Sequence, residues 1–173
     1  ANGAPAQIFL SANPQWMDYV VERGWILESS RTDLMANQLV LIAAPGELFG
    51  LSIGPNFPLA QALDGERLAM GDPDHVPAGT YGREALEYLE VWQQVEPLVV
   101  RAMDVRGALV LVERGEAAAG IVYASDADLV KGLAVVGTFP ADSHAPIVYP
   151  VAALGDSATE ATGLFLDFLK SPV

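Results

Sequence analysis

Short apolar runs alternate with stretches of helical period along this chain. Strand-like runs fall at residues 7–11, 67–70, 99–103, 118–123, 133–139 and 147–153. Asn13-Pro14 offers an N-cap followed by a first-turn proline, whose missing N–H does no harm there, and predicts a helix to about residue 22 that stops at Gly24. The stretch 34–44 is the longest apolar run, interrupted by Asn37-Gln38. Residues 45–58, with three prolines and three glycines, read as a surface excursion before a short helix near 59–63. A helix over 77–89 should set Tyr81, Ala85, Tyr88 and Leu89 on one side. Over 105–114, Val105, Ala108, Leu109 and Val112 recur at i, i+3, i+4 and i+7, an amphipathic stripe. Ser157-Ala158-Thr159-Glu160 has the form of a capping box, opening a last helix expected to bury Ala161, Leu164, Phe165 and Phe168. This order of elements predicts an α/β fold with a mostly parallel sheet. Ligands are then expected where strand ends meet helix N-termini.

Composition narrows the partners. A chain of 173 residues suffices for one sizeable α/β domain or two small lobes. No run approaches the roughly 20 apolar residues that span a bilayer, so direct membrane insertion is not expected. The formal net charge of −13 is spread along the chain, a field that repels nucleic acid and anionic membrane. A small anion can still bind, because dipoles at a site act at contact range while the global field is screened over about 8–10 Å. The absence of cysteine excludes disulfides, thiol catalysis and cysteine-ligated metals. The opening Ala1-Asn2-Gly3-Ala4-Pro5 has neither the basic end nor the apolar run of a signal peptide, which in an exported protein would lie upstream.

Three strand-to-helix junctions could hold an anion. In Asp72-Pro73-Asp74-His75-Val76-Pro77-Ala78-Gly79-Thr80, Pro77 lacks an N–H and the next free donors are those of Ala78, Gly79 and Thr80. In Ala102-Met103-Asp104-Val105-Arg106-Gly107, Asp104 is a natural N-cap and Val105 offers a first-turn N–H. In Gly120-Ile121-Val122-Tyr123-Ala124-Ser125-Asp126, Tyr123 ends a strand. The first N–H groups of a helix have no intrahelical partner, and aligned peptide dipoles make that end partly positive. Two such ends and a phenol would form a site made only of donors, suited to a fully ionised tetrahedral oxyanion. A protonated anion would leave its own O–H unpaired, at about 1–3 kcal/mol. The plainer alternative stays open, since most helix N-termini in α/β domains hold only water and Tyr123 alone fits an ordinary rim tyrosine.

Together these segments resemble the periplasmic molybdate-binding proteins of ATP-binding cassette importers, and the likeness extends along almost the whole chain. Its most specific stretches are Gly71 to Gly79, Asp104-Val105-Arg106-Gly107-Ala108-Leu109 and Gly120-Ile121-Val122-Tyr123, supported by Trp16-Met17-Asp18-Tyr19, Thr138-Phe139-Pro140 with Ser143-His144, and Tyr149-Pro150-Val151. The resemblance implies a periplasmic-binding-protein type II fold of two α/β lobes. A partial first lobe would comprise 1–36 and 149–173, a second lobe 40–145, and hinge strands 37–41 and 143–150. It implies a periplasmic solute-binding component that captures molybdate or tungstate for a membrane permease, with no cofactor, no direct metal ligation and no catalysis. The ligand donors would be the N–H groups of Ala78 and Val105 and the hydroxyl of Tyr123. In that family two serine-bearing loops also contribute; they lie upstream of the point matching Ala1, and Ser11, Ser29 and Ser30 match other segments. The chain thus looks truncated at both ends, with the first lobe incomplete. Gln7 stands where the family usually has Asp.

Rival readings are a sulfate-type binding protein, a ligand-sensing domain of a regulator, and an enzyme or metal site built on Asp72, Asp74, His75 and His144. The Asp-Pro-Asp-His spacing fits turn caps rather than metal ligation, and no helix-turn-helix or basic face is visible. Arg101 and Arg106 are the cations nearest the donor loops, Arg106 being expected in a surface ion pair.

Overall fold

In the computed structural model, residues 6–45 and 50–171 are described, Asp156 by its backbone alone. In chain order the elements are β1 (Ile8–Leu10), α1 (Pro14–Val21), β2 (Thr32–Ala36), β3 (Leu39–Ala43), α2 (Leu59–Leu63) and β4 (Leu68–Gly71). They continue with α3 (Pro77–Tyr88), α4 (Trp92–Val95), β5 (Val99–Ala102), α5 (Val105–Glu113), β6 (Ala119–Tyr123), α6 (Ala124–Ala127), β7 (Ala134–Thr138), β8 (Val148–Ala153) and α7 (Glu160–Lys170). The chain divides into two compact units, Ala1–Ala36 with Ile147–Val173, and Asn37–Pro146. No helix among the described residues is long and apolar enough to cross a membrane.

The first unit is a three-stranded antiparallel sheet in the order β1-β8-β2. Successive side chains on a strand face opposite ways, and here both faces are used. Ala152 and Phe9 pack with Met17, Val20, Val21 and Ile26, the α1 side. Val151, Ala153 and Ile8 pack with Leu34, Leu166 and Leu169, the α7 side. Helix α1 begins as expected, the Asn13 side chain accepting from the Trp16 N–H at 3.0 Å with Pro14 at the first position. Gly24, at φ 68°, takes the left-handed turn that ends it.

Helix α7 departs from expectation in two ways. Its N-cap is Thr159, not Ser157. The Thr159 hydroxyl accepts from the Thr162 N–H, and the Thr162 hydroxyl accepts from the Thr159 N–H, forming the reciprocal box without Glu160. Ser157 instead ends a tight turn over Gly155–Ser157 and donates to the Ala6 carbonyl at 2.8 Å. The buried stripe is Thr162, Leu166 and Leu169, held at its start by the Thr162 hydroxyl donating to Gln7 Oε1 at 3.2 Å. The expected stripe of Ala161, Leu164, Phe165 and Phe168 lies one residue away, about 100° around the helix, with Leu164 66% and Phe168 70% exposed.

The second unit holds a five-stranded sheet in the order β5-β4-β6-β3-β7. Strand β4 runs parallel to β5 and β6, while every other pairing among the described strands is antiparallel. The sheet is therefore not mostly parallel. Parallel strands need a crossover long enough to carry the chain back, and only two segments supply one here, that holding α3 with α4, from β4 to its neighbour β5, and that holding α5, from β5 past β4 to β6. Those helices cover opposite faces. Ala108, Leu109 and Val112 of α5 pack with Val40, Ile42, Ala69 and Val122, the predicted stripe. Gly120 lets α5 approach, since a Cβ there would lie 2.8 Å from Val112 Cγ2. On the other face Gly82 of α3 sits over Met70 and Ile121, with Tyr81, Ala85, Leu86 and Leu89 buried. Tyr88, expected in that stripe, is exposed. It falls at the margin of the buried arc, and its phenol donates to Asp142 Oδ2 at 3.2 Å. The 45–58 excursion is anchored at Phe57, which is buried edge-on to Phe139; residues 46–49 lie outside the described set.

The corrected face of α7 is testable by urea unfolding. Leu166→Ala should lower stability by about 2–4 kcal/mol, the usual range for emptying a packed site. Phe168→Ser should change it by less than about 0.5 kcal/mol. The reverse order would restore the sequence-based stripe.

Candidate functional site

Three strand ends converge on one edge of the second unit. Gly71 of β4 is in register with Ala102 of β5, and Met70 with Ile121 of β6. Ala102, Gly71 and Val122 are therefore level, and Tyr123 lies one step beyond. With neighbouring strands about 4.8 Å apart, the three ends span roughly 10 Å. The Asp72 N–H donates to the Ala102 carbonyl at 2.9 Å, extending the ladder into the first loop. Ala78, Val105 and Tyr123 are thus brought to the same end of adjacent strands.

The loop before α3 turns nearly all its polar groups inward. The N–H groups of His75 and Val76 donate to the Asp72 carbonyl at 3.2 and 2.8 Å, and the Asp74 N–H to Asp72 Oδ1 at 3.1 Å. The Thr80 hydroxyl donates toward the Pro73 and Val76 carbonyls, at 3.2 and 3.3 Å. Val76 is the N-cap and has no capping side chain; its carbonyl accepts from the Thr80 N–H at 2.9 Å. Thr80 is thereby removed from the donors expected at this helix start. Pro77 has no N–H, which leaves Ala78 and Gly79, whose N–H groups donate to no acceptor among the described residues. Ala78 is only 1% exposed, and a buried N–H without an acceptor is rare and costly.

Close approach is built into this junction. A Cβ on Gly79 would lie 2.1 Å from the Gly71 carbonyl oxygen and 2.7 Å from the Asp72 carbonyl carbon. Only glycine lets the first turn of α3 rest on the end of β4.

Helix α5 starts two residues beyond Met103, and its N-cap is Asp104, as expected. Asp104 Oδ1 accepts from the Gly107 N–H at 2.7 Å, and the Asp104 carbonyl from the Ala108 N–H at 3.3 Å. The N–H groups of Val105 and Arg106 are not among the bonded donors of the described residues. The cap thus satisfies the third donor of the turn and leaves the first two without an acceptor among the described residues. Tyr123 is 7% exposed and, by strand alternation, shares the α3 face with Ile121.

The charged residues of these loops are engaged with one another. Arg101 Nη1 donates to Asp72 Oδ1 at 3.1 Å and to Asp74 Oδ2 at 2.5 Å. Arg83 stands 3.5 Å from Asp74 and 2.8 Å from Glu87. Arg106 is in an exposed ion pair with Asp126 at 3.5 Å. His75 lies on the exposed loop, and His144 has Nδ1 2.8 Å from the Ala145 carbonyl oxygen, its ring 5.9 Å from that of Tyr81. Among the described residues, no three His, Asp or Glu side chains gather as a metal site would require. Arg101 was legible as a cation near the loops; its two partners were not, because they depend on the pairing of β4 with β5.

The sequence matches the bacterial extracellular solute-binding proteins over residues 1–173. The chain belongs to that family. Among curated members, it is 46% identical over 173 residues to the molybdate-binding protein ModA of Escherichia coli (strain K12). It is 44% identical over 170 residues to the molybdate-binding protein ModA of Haemophilus influenzae. In each case 98% of this chain is covered, and the chain spans 66% of the relative's length. The periplasmic molybdate-binding protein of Azotobacter vinelandii superposes with a TM-score of 0.79 at 24% identity, covering 99% of this chain and 74% of that one. This solute-binding protein therefore has the type II periplasmic-binding-protein fold.

Two outcomes test the junction. Gly79→Ala should lower stability by about 1–3 kcal/mol, as overpacking does, whereas Gly115→Ala, which meets nothing within 4 Å but sits at φ 70°, should lower it by about 1 kcal/mol; equal urea midpoints for Gly79→Ala and wild type would contradict the close approach. The Arg101 hydrogen bond holds the Asp74 carboxyl below its ordinary value of 3.8. A carboxyl lowered in the fold stabilises it fully above the unfolded value and loses that contribution as pH falls through the lowered one. The stability difference between wild type and Asp74→Asn should therefore shrink below pH 3.8, and a difference unchanged at about pH 2 would contradict the pairing.

Proposed function

We propose that this chain is the solute-binding component of a molybdate or tungstate ABC importer. It acts in the periplasm and passes its ligand to a membrane permease. The N–H groups of Ala78 and Val105 and the hydroxyl of Tyr123 hold the oxyanion, without cofactor, direct metal ligation or chemistry on the ligand. The observation that carries this reading is the pair of helix starts, α3 and α5, whose first-turn amides lack acceptors among the described residues at one edge of adjacent parallel strands. The relatives named for molybdate binding support the choice of ligand.

The chemistry follows from the donor set. Each helix start carries roughly half a positive charge, so two of them offset about one of the ligand's two negative charges. The remainder is met by hydrogen bonds to charged oxygens, each stronger than a neutral one. Donors alone accept a dianion of any oxyacid that is fully ionised, and reject a protonated anion, whose O–H would face further N–H groups. Ligand release stays possible because no covalent or metal bond forms.

Calorimetric titration of this chain with sodium molybdate, with sulfate as competitor, tests the proposal. Tyr123→Phe should weaken binding about tenfold, the value of one hydrogen bond to a charged group. Val105→Pro removes a donor at a first helical position that tolerates proline, and should weaken binding more than Val105→Ala, which keeps it. No molybdate binding by the unaltered chain, or equal affinities for the two Val105 variants, would refute the reading.

A further inference from the structure

The anion site has two carboxylates as neighbours. Asp72 and Asp74 belong to the loop that delivers α3, and the Asp72 backbone touches Gly79, next to the Ala78 donor. In a chain of net charge −13, these two carboxylates stand on the loop that carries the Ala78 donor, where they would repel a doubly negative ligand.

We propose that Arg101 is a positioning residue for this site, one that masks the charge of Asp72 and Asp74 beside the loop that carries the Ala78 amide. The proposal rests on the oxyanion-binding reading of the site. Arg101 sits on β5, opposite Met70 of β4, and spans the two carboxylates with one guanidinium nitrogen, at 3.1 and 2.5 Å. It stands four residues before Val105, so the same side chain ties the α3 loop to the strand that carries the α5 donor. Arg83 cannot replace it. Arg83 reaches only Asp74, at 3.5 Å, and is engaged more closely by Glu87 at 2.8 Å. With Arg101 the five groups Asp72, Asp74, Glu87, Arg83 and Arg101 sum to one negative charge; without it they sum to two. Arg101 contributes by cancelling charge, and does not itself touch the ligand.

The pairing explains why a cation beside an anion site need not be an anion ligand. Arg101 Nη1 is shared between the two carboxylates, and the Asp74 hydrogen bond is the largest influence on the Arg101 guanidinium, which it holds more firmly protonated.

The test is titration with sodium molybdate of the wild-type chain, Arg101→Gln, Arg101→Lys and Asp72→Asn/Asp74→Asn, alone and combined with Arg101→Gln, at low and high salt. Thermal unfolding of each confirms that it is folded. One unmasked charge on the donor loop should change the affinity for a dianion by roughly five- to tenfold at low salt. Arg101→Gln should weaken binding by that factor at low salt and by less than about twofold at about 1 M salt, where the screening length is near 3 Å. Arg101→Lys should recover most of the loss, and adding Asp72→Asn/Asp74→Asn to Arg101→Gln should recover it as well. The two Asn changes beside an intact Arg101 should tighten binding, which keeps the proposal open to refutation if Arg101→Gln does not fold. Unchanged affinity in Arg101→Gln, a loss independent of salt, or no recovery on neutralising the aspartates would overturn the role of Arg101 while wild-type binding stands. Absence of molybdate binding in the wild-type chain would overturn the underlying reading and this inference with it.

Discussion

The parallel pairing of β4 with both β5 and β6, in one fixed register, is the constraint on which the second unit depends. Because Gly71 stands level with Ala102 and Met70 with Ile121, the two crossover helices begin at one edge of the sheet and cover its opposite faces. A slip of one residue would turn Met70 toward α5 and Ala69 toward α3, and both packing faces would fail together. Gly82 and Gly120 show how little slack there is. Each has a neighbouring side chain within 2.8 Å of where its Cβ would be, Met70 Cε in one case and Val112 Cγ2 in the other. The core thereby fixes the positions of the helix starts, and with them the direction of their unbonded amides.

Local signals in the sequence were read well, and pairings between distant segments were not. Asn13, Asp104 and Pro77 act within four residues of themselves, and each does in the structure what its type predicts. The α5 stripe was legible because its period is a property of the helix alone. The last helix was misread because two overlapping patterns compete. Ser157 with Glu160 and Thr159 with Thr162 are both spaced as a capping box, and a third residue decides. Gln7, more than 150 positions away, accepts from the Thr162 hydroxyl and turns that side of the helix inward. Strand direction was misjudged for a similar reason. Alternating strands and helices imply parallel pairing only when each crossover returns beside its own strand, and β3 takes β6 and β7 as antiparallel neighbours instead. The N–H groups of Ala78, Gly79 and Val105 were legible as those of helix starts, and the Thr80 N–H was counted with them. What removed Thr80 was the Val76 carbonyl, four residues back, completing the first turn.

An acidic chain that binds an anion faces a conflict between its overall field and its local chemistry. Fixed cations would resolve it crudely, but a buried arginine or lysine must itself be desolvated, and its long side chain held still. Backbone amides at a helix start avoid both requirements. They are already rigid, they carry only partial charge, and the helix itself offers them no acceptor. The same feature explains the shape of the loops. In the α3 loop the other polar groups are satisfied internally, and in the α5 turn Asp104 satisfies only the third donor, so what remains outward is a small set of N–H groups.

Charge near such a site then serves a different purpose from charge within it. The Asp72-Pro73-Asp74 turn uses the Asp72 carboxylate for structure, since Asp72 accepts from the Asp74 N–H in the bend that leads to Pro77, and the Asp74 carboxylate ties the turn to Arg101. Those carboxylates are unfavourable to a nearby anion for the same reason that they are favourable to the turn. Neutral residues would relieve the repulsion, but would forfeit the tie to β5 across which the loop is held. An arginine from the adjacent strand meets both demands, because its fork can bond to two carboxylates at once while its charge offsets one of them. In this arrangement the cation organises the acids, the acids shape the loop, and the loop leaves the Ala78 and Gly79 amides without an acceptor among the described residues.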